Sequence, residues 1–318
     1  MIGRGILKTL EIPGRVIVIA DKAIADIHTI RCDLLIRVSS EKTKQNYESI
    51  VDQLFQAGCD RQTTIVAIGG GTICDLVGYV AATFMRGLPL ILIPTTLLAI
   101  VDASIGGKTA IDTAHGKNLI GSLHFPKMIY ADLDVLSTLP EGERINGMAE
   151  ILKMGLIQEP TLFIQKMTDE MIVQAMLAKI SVIEKDPEEK GLRRILNFGH
   201  TIGHAIETVG ENIAHGRAVA LGSLAESYLS MLLGFLDETT FKEIVTRYQE
   251  YQLHLPADYS RLKIFEMMRH DKKKKDGNLR TVIIDQIGNA LRFQGEYCHP
   301  VTEKQIEATL DWLEKHYT

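Results

Sequence analysis

The run IVAIGGGTICD sets three glycines, Gly69, Gly70 and Gly71, between an apolar β-branched stretch and an amphipathic one. Residues 63–68 read as a buried strand, and residues 73–85 carry helical periodicity. A strand that runs through glycines into a helix is where α/β folds hold phosphates. Glycine permits positive φ and close backbone approach, and the first helical N–H groups together with the macrodipole attract an anion. The spacing is not GxGxxG, so the common dinucleotide fingerprint is absent. A tight turn with no ligand is the bland alternative.

Around that junction the first part of the chain alternates strands and helices. Residues 15–20, 33–38, 63–68, 90–93 and 128–133 are β-rich. Residues 41–57 have helical period, with Ile50, Val51, Leu54 and Phe55 on one face, and stop at Gly58. This alternation predicts a mainly parallel sheet covered on both faces. After Pro140 the pattern changes. Residues 141–251 are almost all helical in period, 280–285 and 290–294 suit a late hairpin around Gly288, and 302–316 read as a closing helix with Thr302 as N-cap. The expected layout is an α/β nucleotide-binding domain over 1–139 and a mostly α-helical metal- and substrate-binding domain over 140–318, with the active site in the cleft between them.

A second polar segment, PTTLLAIVDASIGGKTAID, contains Thr95, Thr96, Asp102 and Lys108, with Lys117 and Asn118 shortly after. Read as a loop, its Gly-Gly-Lys run can set amides and an ammonium against phosphate oxygens, although a single such motif is more often a solvated loop. Further on, LNFGHTIGHAIE places His200 and His204 at i, i+4, His215 follows, and Glu150 lies upstream three residues before Lys153. Three histidines and a carboxylate suit a metal, and spacing alone nominates His200 with His204. A packed, hydrogen-bonded helical pair is the other reading. Arg193 and Asn197 lie seven and three residues before His200, near its helical face, and Lys179 is one segment earlier. The DKKKK run, with Lys272, is either solvated surface or an anion clamp.

Bulk properties narrow the class. A net charge of −5 gives no footprint for nucleic acid, and no apolar run reaches the roughly 18 residues that cross a bilayer. Four cysteines without CxxC spacing suit a reducing cytoplasm over a disulfide framework.

Taken together, EKTK, GGGTICDLVGYVAATFMRG, IPTTLLAIVDASIGGKTAID, GKNLIG, DLDVLSTLP, GMAEILKMGLI, EKGLRRILNFGHTIGHAIE and DKK, in this order, resemble the dehydroquinate synthase family of sugar phosphate cyclases. The resemblance implies a cytoplasmic lyase of the shikimate pathway of aromatic amino acid biosynthesis. Such an enzyme converts 3-deoxy-arabino-heptulosonate 7-phosphate to 3-dehydroquinate and phosphate by transient oxidation with NAD, elimination, re-reduction and aldol closure. It implies that NAD contacts Glu41, Lys44, Gly71, Thr72, Ile73, Cys74, Asp75, Thr95, Thr96, Lys108, Lys117, Val135, Leu136, Ser137 and Thr138. A divalent metal, zinc with cobalt as an alternative, would be held by Glu150, His200 and His215, which moves His204 to the substrate. The substrate would also meet Arg86, Asp102, Asn118, Lys153, Lys179, Arg193, Asn197 and Lys272. A homodimer is implied as well.

This chain departs from the family in a short N-terminal region, in Ser40 and Ala23 where glycine and asparagine are usual, and in Arg217, which replaces the glutamate of a His-Gly-Glu. A cation there weakens a metal site unless an acid offsets it. The competing readings are another sugar phosphate cyclase, a metal-dependent NAD polyol dehydrogenase, and a non-catalytic paralogue. The cationic side chains argue against a neutral polyol.

Overall fold

The computed structural model describes residues 1–28, 30–210, 213–270 and 279–318. The chain forms two compact units, Met1–Arg144 and Ile145–Thr318.

In the first unit the order is β1 (Ile2–Gly3), β2 (Val16–Asp21), β3 (Leu34–Val38), α1 (Lys44–Gln56), β4 (Thr64–Gly69), α2 (Gly71–Thr83), β5 (Leu90–Pro94), β6 (Lys108–Thr113), β7 (Gly116–Leu123), β8 (Met128–Ile129) and β9 (Ala131–Asp132). Five strands make a parallel sheet in the order β3-β2-β4-β5-β8. Strand period two sorts its apolar residues onto two faces. Ile17, Ile19, Ile65 and Ala67 pack with Ile50 and Leu54 of α1 and with Ile73, Leu76, Val77 and Val80 of α2. Val16, Val18, Ala20, Val66, Ile68 and Ile93 face the other way, where Leu7, Leu10, Ile12, Ile24 and Ile30 cover them. Both faces are covered as expected, but the second by an irregular N-terminal segment.

Several local expectations need correction. The predicted helix over 41–57 begins at Lys44, because the Thr43 side chain accepts the Asn46 amide 3.2 Å away and caps it there. Phe55, assigned to its buried face, is 62% exposed. The helix expected over 73–85 starts earlier, at Gly71, and ends at Thr83, since Met85 and Arg86 adopt left-handed φ of 48° and 67°. None of the three glycines has positive φ; what each needs is space. A Cβ on Gly69 would stand 2.6 Å from Ile73 Cβ, and one on Gly71 2.9 Å from Ala103 Cβ. The presumed Gly-Gly-Lys loop is the start of an antiparallel hairpin, β6–β7, with Lys108 opposite Leu123. The β-run over 128–133 divides into two short strands that pair with different partners, β8 with β5 and β9 with β1.

The second unit contains α3 (Glu141–Ile157, which begins just before it), α4 (Thr161–Ile164), α5 (Asp169–Lys185), α6 (His200–Val209), α7 (His215–Leu232), α8 (Glu238–Gln249), α9 (Arg261–His270), β10 (Leu279–Thr281), β11 (Ile284–Gln286), β12 (Asn289–Ala290), β13 (His299–Val301) and α10 (Glu303–Tyr317). β11 and β12 form the hairpin around Gly288. Thr302 caps α10 in a reciprocal box with Gln305, as its sequence predicts. Helices α6 and α7 touch backbone to backbone. A Cβ on Gly222 would meet Gly199 O at 1.9 Å, and one on Gly203 would meet Ala218 O at 2.8 Å.

Candidate functional site

In the first unit the N-terminus of α2 has no side-chain cap. Gly70 holds the N-cap position, and a Cβ there would come within 3.2 Å of the Thr96 methyl. Gly70 thus lets Thr96 approach the helix start more closely than a residue with a side chain would. Ile73 and Cys74 are buried and donate their amides to Gly70 O at 3.1 and 3.0 Å, and burial pushes the Cys74 thiol up. Thr95 is buried and donates its amide to Gly69 O at 2.9 Å, which ties the end of β5 to the glycine turn.

Lys42, which spacing did not single out, gathers three acidic or amide groups. Its Nζ is 2.7 Å from Asp75 Oδ2, hydrogen-bonds Asn118 Oδ1, and is 4.0 Å from Asp112 Oδ1. Burial raises the Asp75 carboxyl, Lys42 opposes this, and Asp112 and Asp102 reinforce it. Asp75, Asn118 and Asp102 are thus brought together. Asn118 has φ of 61°, a left-handed backbone that asparagine tolerates. Glu41, Lys44, Lys108 and Lys117 are exposed, and Lys44 pairs with Glu48 at 3.4 Å. Val135 and Leu136 belong to the core, while Ser137 and Thr138 turn their hydroxyls onto the backbone of Asp134 and Val135. Arg86 is exposed on the left-handed turn after α2. Such backbone costs about 1–3 kcal/mol per residue and concentrates at functional positions.

The second unit builds a tighter cluster. Helix α3 is buried all round from Asn146 to Ile157. Glu150 and Lys153, one turn apart, have nowhere else to place their charges and form an ion pair in which both side chains are 2% exposed or less. Neither Glu150 oxygen has a hydrogen bond of good geometry. Instead His200 Nε2 and His215 Nε2 each stand 3.4 Å from Glu150 Oε1. These histidines are the first residues of α6 and α7. Each commits its other nitrogen: His200 Nδ1 donates to Phe198 O at 3.0 Å, and His215 Nδ1 to Glu207 Oε2 at 2.9 Å. In the neutral rings both Nε2 lone pairs therefore aim at a carboxylate. Three acceptors converging on one point call for a cation.

A proton can answer that need: burial opposes charge on His215, but Glu150 and Glu207 outweigh it and push its pKa up to about 10. A metal ion can answer it as well, since the donor atoms of Glu150, His200 and His215 lie within 4.8 Å of one another. Nitrogen and carboxylate donors of this kind suit zinc or cobalt and leave coordination positions open. His204, Glu207 and His215 form a second such group. His204 is edge-on to His200, with ring centroids 4.9 Å apart, and exposed. Among the described residues the pair nominated by spacing, His200 with His204, therefore shares no three-donor group, because Glu150 approaches from α3 on the side of His200 and His215. The Arg217 guanidinium is directed to Gln252 O at 3.4 Å, and Glu207 supplies the acid beside His215.

Arg193 and Asn197 do not continue the helix of His200, as their spacing suggested. They lie on a separate turn, Leu192–Asn197, and Gly199 at φ 76° breaks the chain between the two. Arg193 and Lys179 are buried. The Asp186 carboxylate accepts amides from Lys190, Gly191 and Arg193, and these bonds hold it below its ordinary range although burial opposes them. Asn197 donates to Glu189 Oε1 at 2.8 Å. Asp186, Glu189 and Glu207 escaped the sequence reading. Glu207 was accessible to it, seven residues after His200 on the same helix. Lys272 and the lysine run lie outside the described residues.

The family model for the 3-dehydroquinate synthase N-terminal domain matches residues 34–146, and that for the C-terminal domain matches residues 147–274. The chain belongs to the 3-dehydroquinate synthase family. The 3-dehydroquinate synthase of Thermodesulfovibrio yellowstonii is 42% identical over 256 residues, covering 75% of this chain and 71% of that protein. Among solved structures, 2-deoxy-scyllo-inosose synthase complexed with carbaglucose-6-phosphate, NAD+ and Co2+ superposes with a TM-score of 0.88 at 26% identity, over 99% of this chain and 95% of that one. The 2-epi-5-epi-valiolone synthase of Streptomyces hygroscopicus, with NAD+ and Zn2+ bound, gives 0.83 at 25% identity, over 95% and 91%. Identity to 3-dehydroquinate synthase thus exceeds identity to these other cyclases.

Proposed function

We propose that this chain is a 3-dehydroquinate synthase, a lyase that takes 3-deoxy-arabino-heptulosonate 7-phosphate to 3-dehydroquinate and phosphate in the shikimate pathway. The observation that carries this reading is the convergence of Glu150, His200 and His215 on one point in a chain of this family. Bound NAD would supply reversible hydride transfer without net turnover, and a divalent metal, zinc or cobalt, held by Glu150, His200 and His215 would supply Lewis-acid polarisation of the reacting oxygens.

The protein's own groups bind and orient. The uncapped start of α2, with Thr95, Thr96 and the Gly71–Asp75 backbone, receives the dinucleotide. Glu41, Lys44, Lys108, Lys117 and the 135–138 segment supply further contacts to it. Lys153, Lys179, Arg193 and Arg86 hold the phosphate and carboxylate of the substrate, with Lys272 beyond the described residues. Asp102, Asn118, Asn197 and His204 accept or donate to its hydroxyls. Buffered by Glu207 on its far nitrogen, His215 keeps one tautomer. The first unit acts as the NAD domain and the second as the metal domain.

Purified protein given heptulosonate phosphate, NAD and zinc should release phosphate without net NADH. Net NADH from glycerol would favour a polyol dehydrogenase, and neither signal alongside retained NAD binding would favour a non-catalytic paralogue. His215→Ala should leave the protein folded and lower zinc occupancy to background by metal analysis. Full occupancy in that variant would remove His215 from the ligand set.

The chain acts in the cytoplasm as a homodimer. No helix among the described residues is long and apolar enough to cross a membrane. Strand β7 and the residues after it expose Leu119 at 65%, Leu123 at 51% and Phe125 at 49%, a row that a second copy can cover. Sedimentation at micromolar concentration should give twice the chain mass, and Leu119→Lys with Leu123→Lys should shift it to monomer. A wild-type monomer would end that reading.

A further inference from the structure

Helix α6, which opens with His200, starts without a cap of its own. Its N-cap residue is Gly199, left-handed and without a side chain. The acid that serves it comes from α7. Glu226 is fully buried, and its carboxylate accepts Gly199 N at 2.9 Å, Thr201 N at 3.0 Å, Ile202 N at 3.3 Å and Thr281 Oγ1 at 2.7 Å. The backbone contact of α6 and α7 makes this reach possible. Gly222, one turn before Glu226, lies where a Cβ would overlap Gly199 O.

One of these bonds shares its peptide unit with a bond made by His200. The N–H of Gly199 donates to Glu226, and the C=O of the same unit, on Phe198, accepts His200 Nδ1. Glu226 therefore stands behind His200 as Glu207 stands behind His215, except that one peptide plane lies between carboxylate and ring. Rotation of that plane would take the acceptor away from Nδ1 and leave His200 free to change tautomer. Hydrogen bonds in series also polarise one another, so a carboxylate on the N–H makes the carbonyl a better acceptor.

We propose that Glu226 is a positioning residue for the metal centre: through the Phe198–Gly199 peptide it fixes the orientation and tautomer of His200. This rests on Glu150, His200 and His215 being the ligands. Glu226→Gln keeps the shape but turns an NH2 donor against backbone donors. Groups behind metal ligands typically affect affinity by about 10- to 100-fold when changed.

The experiment titrates the metal-free full chain with Co2+ and follows visible absorption. Wild type should give a strong tetrahedral or five-coordinate band that His215→Ala abolishes. If wild type gives none, the ligand assignment itself falls and Glu226 with it. With the band present in wild type, Glu226→Gln should bind Co2+ about 10- to 100-fold more weakly, with a shifted band. Glu226→Asp should fall between the two. Should Glu226→Gln not fold, the Asp variant decides by the same weakening and shift. Thr281→Val removes a donor to the same carboxylate that does not lie on α6. It should lower thermal stability yet leave band position and affinity within about twofold, because the peptide bond to Glu226 stays. Unchanged affinity and spectrum in the Glu226 variants, or equal weakening in Thr281→Val, would overturn the proposal.

Discussion

Glu150→Gln should both empty the metal centre and destabilise the helical unit by about 3–5 kcal/mol, the usual cost of removing one partner from a buried ion pair. The loss of metal follows from the charge. Two neutral imidazoles and an amide oxygen are a far weaker set than two imidazoles and a carboxylate. The loss of stability follows from Lys153, which is 1% exposed on a helix buried on every side. With the carboxylate gone, its ammonium has neither water nor counter-charge. The two effects can be separated. Trp312, the one tryptophan, sits on α10 and reports unfolding of the second unit by fluorescence. Urea titration of metal-free protein then reads the loss of Glu150 towards Lys153 and the two histidines, without any contribution from metal. Adding Lys153→Met should return most of the lost stability and none of the metal binding. A cost under about 1 kcal/mol for the single change would mean that the pair is solvated, contrary to its burial here.

Gly222→Ala should be nearly as damaging, although it adds a single carbon to a helix. The new Cβ would stand 1.9 Å from Gly199 O and 2.7 Å from Gly203 N, both backbone atoms that cannot swing aside. Helices α6 and α7 must separate. Overpacking a tight contact costs about 1–3 kcal/mol, and a clash with backbone belongs at or above the top of that range. Because His200 opens α6 and His215 opens α7, separation also spreads two of the three donors that we propose for the metal. Zinc affinity should therefore drop with Tm. Gly142→Ala gives the opposite sign: nothing lies within 4 Å of that Cβ, and it should stabilise the protein by up to about 1 kcal/mol. If the two alanines behaved alike, helix propensity and not contact would be the governing term.

Much of this was legible along the chain, where the information is local. The strands 16–21, 64–69 and 90–94 announce themselves as apolar β-branched runs, and Thr302 as a cap. What was hidden depends on contacts distant in sequence. Lys108–Thr113 looked like a glycine loop because the strand that pairs with it, β7, is exposed and lacks an alternating apolar pattern. Spacing joined His200 to His204, whereas the third donor arrives from Glu150, fifty residues earlier on another helix. Arg193 and Asn197 were drawn onto the helix of His200 because periodicity cannot see Gly199 turn left-handed. Glu226 carries no motif; its role exists only because two glycine-faced helices touch.

The turn after α2 has a consequence for how such a chain responds to selection. Met85 and Arg86 hold left-handed backbone in succession, a conformation that glycine or asparagine would adopt more easily. A screen for heat tolerance alone should drift towards glycine at both positions. At Met85 that drift is free to proceed. At Arg86 it would trade the guanidinium that we propose for the substrate against relief of backbone strain, so on that reading thermostability and turnover pull this residue in opposite directions.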